Sequence, residues 1–188
     1  MRLHEPSASL GADDGLILAD GTRLLIRPLS PDDRADLAVL FARLSPESRY
    51  RRYLSPKREL TPRELTYSTD IDHRHHEAFA AVDRRDGAIV GVARYVHEAD
   101  RAGVASIAVE VADELQGMGI GTALAGRAVR RARANGFGLL TAATLWENRP
   151  ARALLRRLGF QARGSDGCVI ELELELNSTS GGVAGAAA

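Results

Sequence analysis

Three glycines at alternate positions stand between an apolar run and a helical one in Val111-Ala112-Asp113-Glu114-Leu115-Gln116-Gly117-Met118-Gly119-Ile120-Gly121-Thr122. Residues 106–111 before them read as a strand, and residues 123–132 after them as a helix with small and apolar residues on one face. The first turn of a helix leaves backbone N–H groups without intrahelical partners, and glycines remove the β-carbons that would hold an anion away from them. The chemistry this spacing supports is the binding of a pyrophosphate. A dinucleotide fingerprint, G-x-G-x-x-G, fails, because counting from Gly117 its last position is Thr122 and no acidic residue lies about twenty positions on, at 139–141. A Walker loop fails because Lys57 is the only lysine in the chain.

A second segment runs Asn148-Arg149-Pro150-Ala151-Arg152-Ala153-Leu154-Leu155-Arg156-Arg157-Leu158-Gly159-Phe160. Ala151, Leu154, Leu155 and Leu158 fall at i, i+3, i+4 and i+7, one buried stripe of a helix that Asn148 caps and Gly159 stops. Gln116-x-x-Gly119-x-Gly121 and this second segment resemble the [Q/R]-x-x-G-x-[G/A] and N-x-x-A-x-x-L-Y-x-x-x-G-F signatures of the GNAT N-acetyltransferase superfamily. The likeness extends over residues 22–176. It implies acetyl-CoA as co-substrate, with its pyrophosphate on Gln116, Gly117, Met118, Gly119, Ile120, Gly121 and Thr122. Its pantetheine arm would pass Asn148 and Ala151, and its amides would pair with the strand edge at Val109 and Val111. No metal is expected.

Acetyl transfer requires a neutral amine, a route for its proton, and stabilisation of the oxygen that becomes negative when the thioester carbonyl is attacked. In the family a main-chain N–H near Val111 serves that oxygen. A lysine amine, with a reference pKa of about 10.4, is mostly protonated at pH 7, so a carboxylate should take its proton directly or through water. Many members of the family carry a glutamate where this chain has Ser106, and a tyrosine acid where it has Leu155. Glu110 is the nearest acidic side chain on the strand, shares a face with Ser106 and Ala108 unless a bulge intervenes, and is the expected base. An orienting or solvated Glu110 is the alternative. Glu98, His73, His75 and His76 are further candidates for the base, and Tyr50, Tyr53 and Tyr95 for the acid.

Residues 45–55 and 65–78 resemble the catalytic domain of bacterial Pat-type protein lysine acetyltransferases, which implies a lysine of another protein as acceptor. A small-molecule amine is the other acceptor class, and a non-catalytic acyl-CoA-binding module is the alternative to an enzyme. Direct transfer in a ternary complex is expected, without an acyl-enzyme, because Cys168 lies far along the chain from the loop. No regulatory nucleotide domain is expected ahead of the catalytic one, and a homodimer is left open.

With 188 residues, of which 45% are hydrophobic, the chain suits one domain with a real core. Lys+Arg and Asp+Glu balance at 25 each, which gives no overall field to hold nucleic acid or an anionic membrane. One cysteine excludes an intrachain disulfide. No apolar run approaches the roughly 20 residues that cross a bilayer, and residues 1–15 lack a signal-peptide pattern, so a cytoplasmic location is expected.

The elements that must position these residues follow from turn and cap signals. Residues 22–28 form a strand, Ser30 caps a helix over 31–44, and two further helices start at Ser45-Pro46 and at the Thr61-x-x-Glu64 capping box. Strands at 77–83, 88–97 and 105–111 precede the glycine loop and its helix. A strand at 139–145, the Asn148 helix and two strands around 164–167 close the chain. Residues 1–20 are expected to be a flexible lead, 21–176 the N-acetyltransferase domain, and 177–188 a disordered tail. The order predicts an α/β fold with a mixed, mostly antiparallel central sheet flanked by helices, and the resemblance adds that two neighbouring central strands splay apart.

Overall fold

The computed structural model describes residues 9–10 and 15–176; the tail expected at 177–188, and the lead over 1–8 and 11–14, fall outside them. The described strands form one sheet in the order β1 (Ser9–Leu10), β2 (Gly15–Ile17), β3 (Arg23–Pro28), β4 (His76–Asp83), β5 (Ile89–His97), β6 (Val104–Val111), β7 (Leu139–Leu145), β9 (Val169–Glu175) and β8 (Gln161–Asp166). Helices α1 (Arg34–Ala42), α2 (Pro46–Tyr53), α3 (Pro62–Thr69), α4 (Ile120–Ala134) and α5 (Arg149–Arg157) cover the two faces. Neighbouring strands are antiparallel except β6 and β7. This is the single-domain, mixed and mostly antiparallel α/β sheet that the element order predicts.

Local chemistry sets the element starts. The Asp33 carboxylate accepts from Ser30 N–H at 2.8 Å and from both Arg27 Nη atoms at 2.7 and 2.6 Å, which winds Pro31–Asp33 into a 3-10 turn. The regular helix therefore begins at Arg34 rather than at Pro31. Ser45 Oγ accepts from Ser48 N–H at 3.1 Å to open α2, and Thr61 and Glu64 bond reciprocally to open α3.

β4 and β5 are covered on both faces. With side chains alternating, Phe79, Ala81, Ala93 and Tyr95 join the core beneath α4 and α5, while Ala78, Ala80 and Val92 pack with Leu37 and Leu40 of α1. α4 lies close to the sheet because residue 91 is glycine. A β-carbon there would stand 3.1 Å from both Leu124 Cδ1 and the Glu110 carbonyl oxygen.

The sheet begins earlier than the boundary expected at Gly21. Gly15–Ile17 pairs with β3, and Leu16 and Leu18 are only 1% and 2% exposed. The flexible lead expected through Asp20 is thus corrected for residues 15–20. A three-residue strand is too short to show alternation, and its burial depends on partners elsewhere in the chain.

Candidate active site

β6 and β7 pair only at Val104↔Leu139, Ala105↔Leu140 and Ser106↔Thr141. Beyond that point β6 stays with β5 as far as Val111↔Gly91, and β7 with β9 as far as Leu145↔Val169, so the two strands diverge. A cavity of about 460 Å³ occupies the split, lined by residues 107–111 on one side and 142–144 on the other. Along these edges the ladder is interrupted, and backbone groups are left for the amides of a ligand.

The β6–α4 link borders the same cavity. Gly117 and Gly119 hold φ of 78° and 88°, the left-handed region that side-chain-bearing residues avoid, and nothing stands within 4 Å of a β-carbon position at Gly117. Gly119 caps α4 without any side-chain hydrogen bond, so the first-turn N–H groups keep their donor capacity at the positive end of the helix. Open space and free donors together fit a pyrophosphate. Gly121 has a different reason, since a β-carbon there would meet Leu154 Cδ1 of α5 at 2.9 Å. The Gln116 side chain braces the link. Its Nε2 donates to Val111 O and Asp113 Oδ1, both at 3.1 Å, and to Ser48 Oγ at 3.4 Å.

Of the residues expected at the cofactor, Val109, Val111, Gln116, Gly117, Gly119, Gly121, Thr122, Asn148 and Ala151 line the cavity. Met118 and Ile120 do not: Ile120 is 1% exposed inside the core and Met118 packs against it. Between the alternate glycines, the Ile120 side chain is buried in the core and the partly buried Met118 side chain packs against it. Asn148 Oδ1 accepts from Ala151 N–H at 3.2 Å, the helix cap expected of it. Asn148→Ala should therefore lower stability by about 1 kcal/mol, read as a lower melting temperature. A weaker CoA affinity in the same variant would add a ligand contact; unchanged affinity would leave Asn148 a cap alone.

The β5–β6 register is unbroken, with Val92↔Glu110 and Arg94↔Ala108, so Glu110 shares a face with Ala108 and Ser106 as expected. α2 lies over that face. The Tyr53 hydroxyl donates to Glu110 Oε2 at 3.3 Å, and Arg52 Nε stands 3.6 Å from the same oxygen. The Glu110 side chain is 4% exposed and borders the cavity. Burial, followed by the adjacent Glu110 carboxylate, pushes the Tyr53 hydroxyl well above the usual phenol range. Tyr53 therefore keeps its proton and serves Glu110 as a donor. Arg94 is buried beneath and donates to Ser68 O at 3.1 Å; burial lowers its pKa and Glu110 opposes that shift.

The other candidates lie elsewhere. Glu98 accepts from Thr141 Oγ1 at 2.5 Å and pairs with Arg101, His73 contacts Glu77, and His75 contacts Asp72. His76 sits between Arg94 and Tyr67, and burial then Arg94 lower its pKa to about 4. None of these four lines the cavity, and neither do Tyr50 and Tyr95. Leu155, where the resemblance would have a tyrosine, is a buried core residue. Ser48, Arg51 and Arg52 line the cavity without having been expected there. No spacing in the sequence shows that α2 would close over a strand whose Glu110 is 57 positions from Tyr53.

Known proteins share this fold. The chain matches the Acetyltransferase (GNAT) family over residues 43–160. It is 37% identical over 145 residues to an acetyltransferase of Pseudomonas aeruginosa, covering 76% of this chain and 77% of that one. It is 30% identical over 139 residues to acetyltransferase Pat of Mycolicibacterium smegmatis, covering 74% of this chain but 41% of that longer protein. In structure it resembles the GNAT domain of S. lividans PAT, with a TM-score of 0.78 at 24% identity over 93% of this chain and 99% of that domain. It also resembles yncA of Salmonella typhimurium, solved with its cofactor acetyl-CoA, with a TM-score of 0.68 at 17% identity over 86% and 98%. The split sheet and its flanking helices are the fold of these solved acetyltransferase structures. The chain belongs to the GNAT acetyltransferase family.

Proposed function

We propose that residues 15–176 form an N-acetyltransferase domain that passes the acetyl group of acetyl-CoA to a primary amine by direct attack in a ternary complex, with Glu110 as the base. One observation carries this: a single cavity is lined by the glycine loop, the diverging edges of β6 and β7, and the buried Glu110 carboxylate. Gly117, Gly119 and the first turn of α4 receive the pyrophosphate, and the β6 edge at Val109 and Val111 receives the pantetheine amides. The neutral amine nitrogen attacks the thioester carbonyl carbon, and a backbone N–H near Val111 meets the developing oxyanion. The C–N bond forms, the C–S bond breaks, and sulfur departs as the CoA thiolate, which takes a proton from water. Glu110 accepts the amine proton, directly or through water, while Tyr53 and Arg52 hold its carboxylate in place. Cys168 does not line the cavity, which supports transfer without an acyl-enzyme.

The Pat-type likeness of residues 45–55 and 65–78 supports a lysine of another protein as one such amine. No helix among the described residues is long and apolar enough to cross a membrane, and we place the reaction in the cytoplasm. Thiol release from acetyl-CoA, measured with lysine peptides, free amino acids and polyamines, tests the reading. Acceptor-dependent release is expected. CoA binding without release in the presence of any amine would leave an acyl-CoA-binding module in its place.

A further inference from the structure

α2 carries no fully buried residue, so the core does not fix its place over the cavity. Tyr53 meets Phe41 of α1 edge to face, with 5.7 Å between ring centroids, and polar contacts at the two ends of the helix seat it further. At its last turn, the Tyr53 hydroxyl and Arg52 Nε face the Glu110 carboxylate at 3.3 and 3.6 Å. At its start, Ser45 N–H donates to Asp113 Oδ2 at 3.1 Å across 68 positions of sequence. Gln116 Nε2 joins the same group, donating to Asp113 Oδ1 at 3.1 Å and to Ser48 Oγ at 3.4 Å. Arg43, just ahead of α2, pairs with Glu114. One end of an eight-residue helix therefore rests on the β6–α4 link and the other on Glu110.

Acids are a poor choice for a link assigned to a pyrophosphate, because each adds a like charge near the anion. Neither Asp113 nor Glu114 lines the cavity, and both are engaged with the junction of α1 and α2. Arg43 and Glu114 are solvent-accessible, and an ion pair in water fixes little. Asp113 is better placed. Burial works against its charge, but the donors of Ser45 and Ser48 outweigh that and hold its carboxyl below the usual range. It meets the start of α2 as an anion, where the aligned backbone dipoles favour one. A helix of eight residues is about 12 Å long and moves as one piece, so a shift at Ser45 is carried to Arg52 and Tyr53.

We infer that Asp113 is a positioning residue for acetyl transfer: it holds the start of α2 on the β6–α4 link, and through the helix it holds Tyr53 and Arg52 against Glu110. The inference rests on the reading of Glu110 as the base. The test is a mutant cycle in kcat for thiol release at saturating acetyl-CoA, with a lysine peptide and with spermidine as acceptors. CoA affinity is measured by calorimetry, and melting temperatures confirm that each variant is folded. Asp113→Ala should lower kcat at least about tenfold, since a misplacement of about 1 Å at a reacting group can cost roughly a hundredfold. CoA affinity should stay within about threefold of the parent, because Asp113 lies outside the cavity. In a protein already carrying Tyr53→Phe and Arg52→Gln, Asp113→Ala should cost no more than about twofold, because sites this far apart are non-additive only when one acts through the other. Asp113→Asn keeps the side-chain volume and one acceptor, so its kcat should fall between parent and Asp113→Ala, and it takes the alanine's place in the cycle should that variant fail to fold. A full loss in the doubly substituted background overturns the inference, and so does weakened CoA binding with kcat restored at saturation. Parental kcat in Asp113→Ala beside an impaired Glu110→Gln overturns it while Glu110 stands as the base. Parental kcat in both variants, or no thiol release with either acceptor, overturns the reading of Glu110 and this inference with it.

Discussion

Glu110→Gln is expected to lower kcat by a factor of roughly 100 to 10,000 near neutral pH while leaving acetyl-CoA affinity almost intact, the loss typical of removing a general base. Glutamine has nearly the volume of glutamate and can still accept from the Tyr53 hydroxyl, so the packing between α2 and β6 is preserved. What disappears is the ability to take a proton. The direction with pH follows: protonating a carboxylate abolishes the base, so activity falls toward acid in the parent, and the variant lacks that limb. An amine acceptor contributes its own acidic limb, because only its neutral form attacks. Two acceptors whose amines differ in pKa separate the two effects, since the amine's limb moves with the acceptor and the enzyme's does not. Identical limbs and similar rates in both proteins would reduce Glu110 to a counter-charge for Arg52 and Arg94 and return amine deprotonation to solvent.

Legibility in the sequence followed the range of the interactions. The glycine link, the strands at 139–145 and 105–111, and the Asn148 cap depend on residues a few positions apart, and turn and cap chemistry reveals them. Glu110 could be placed on the face of Ser106 and Ala108 because the strand period is two and no bulge breaks it. What surrounds that face could not be read. Tyr53 and Arg52 reach it only because α2 folds back over β6, a contact that local periodicity does not encode. The same limit hid β2, whose Leu16, like Leu18 just after it, is buried by distant partners. It also concealed that Ile120 turns into the core and that Met118 packs against it. A motif names consecutive residues, but which side chains face the ligand is decided by the core beneath the loop.

Gly119→Val should raise the dissociation constant for CoA at least about tenfold, or about 1.4 kcal/mol, because the new side chain would stand at the start of α4, where we propose that the pyrophosphate binds. Backbone strain complicates the reading. Gly119 has a φ of 88°, and a β-branched residue forced into the left-handed region costs of order 1–3 kcal/mol and can shift the loop. Gly87→Val supplies the control: its φ of 76° imposes similar strain, nothing stands within 4 Å of its β-carbon position, and it lies in the β4–β5 turn outside the cavity. Gly87→Val should lower the melting temperature and leave CoA affinity alone, whereas Gly119→Val should change both. Gly119→Asn refines the comparison, since asparagine tolerates left-handed backbone yet still carries a side chain over the helix start. If blocked approach is the cause, Asn weakens CoA binding nearly as much as Val with a smaller loss of stability. Recovery of affinity in the asparagine variant would assign the effect to strain, and a folded Gly119→Val protein that binds CoA like the parent in calorimetry would remove the pyrophosphate from this loop.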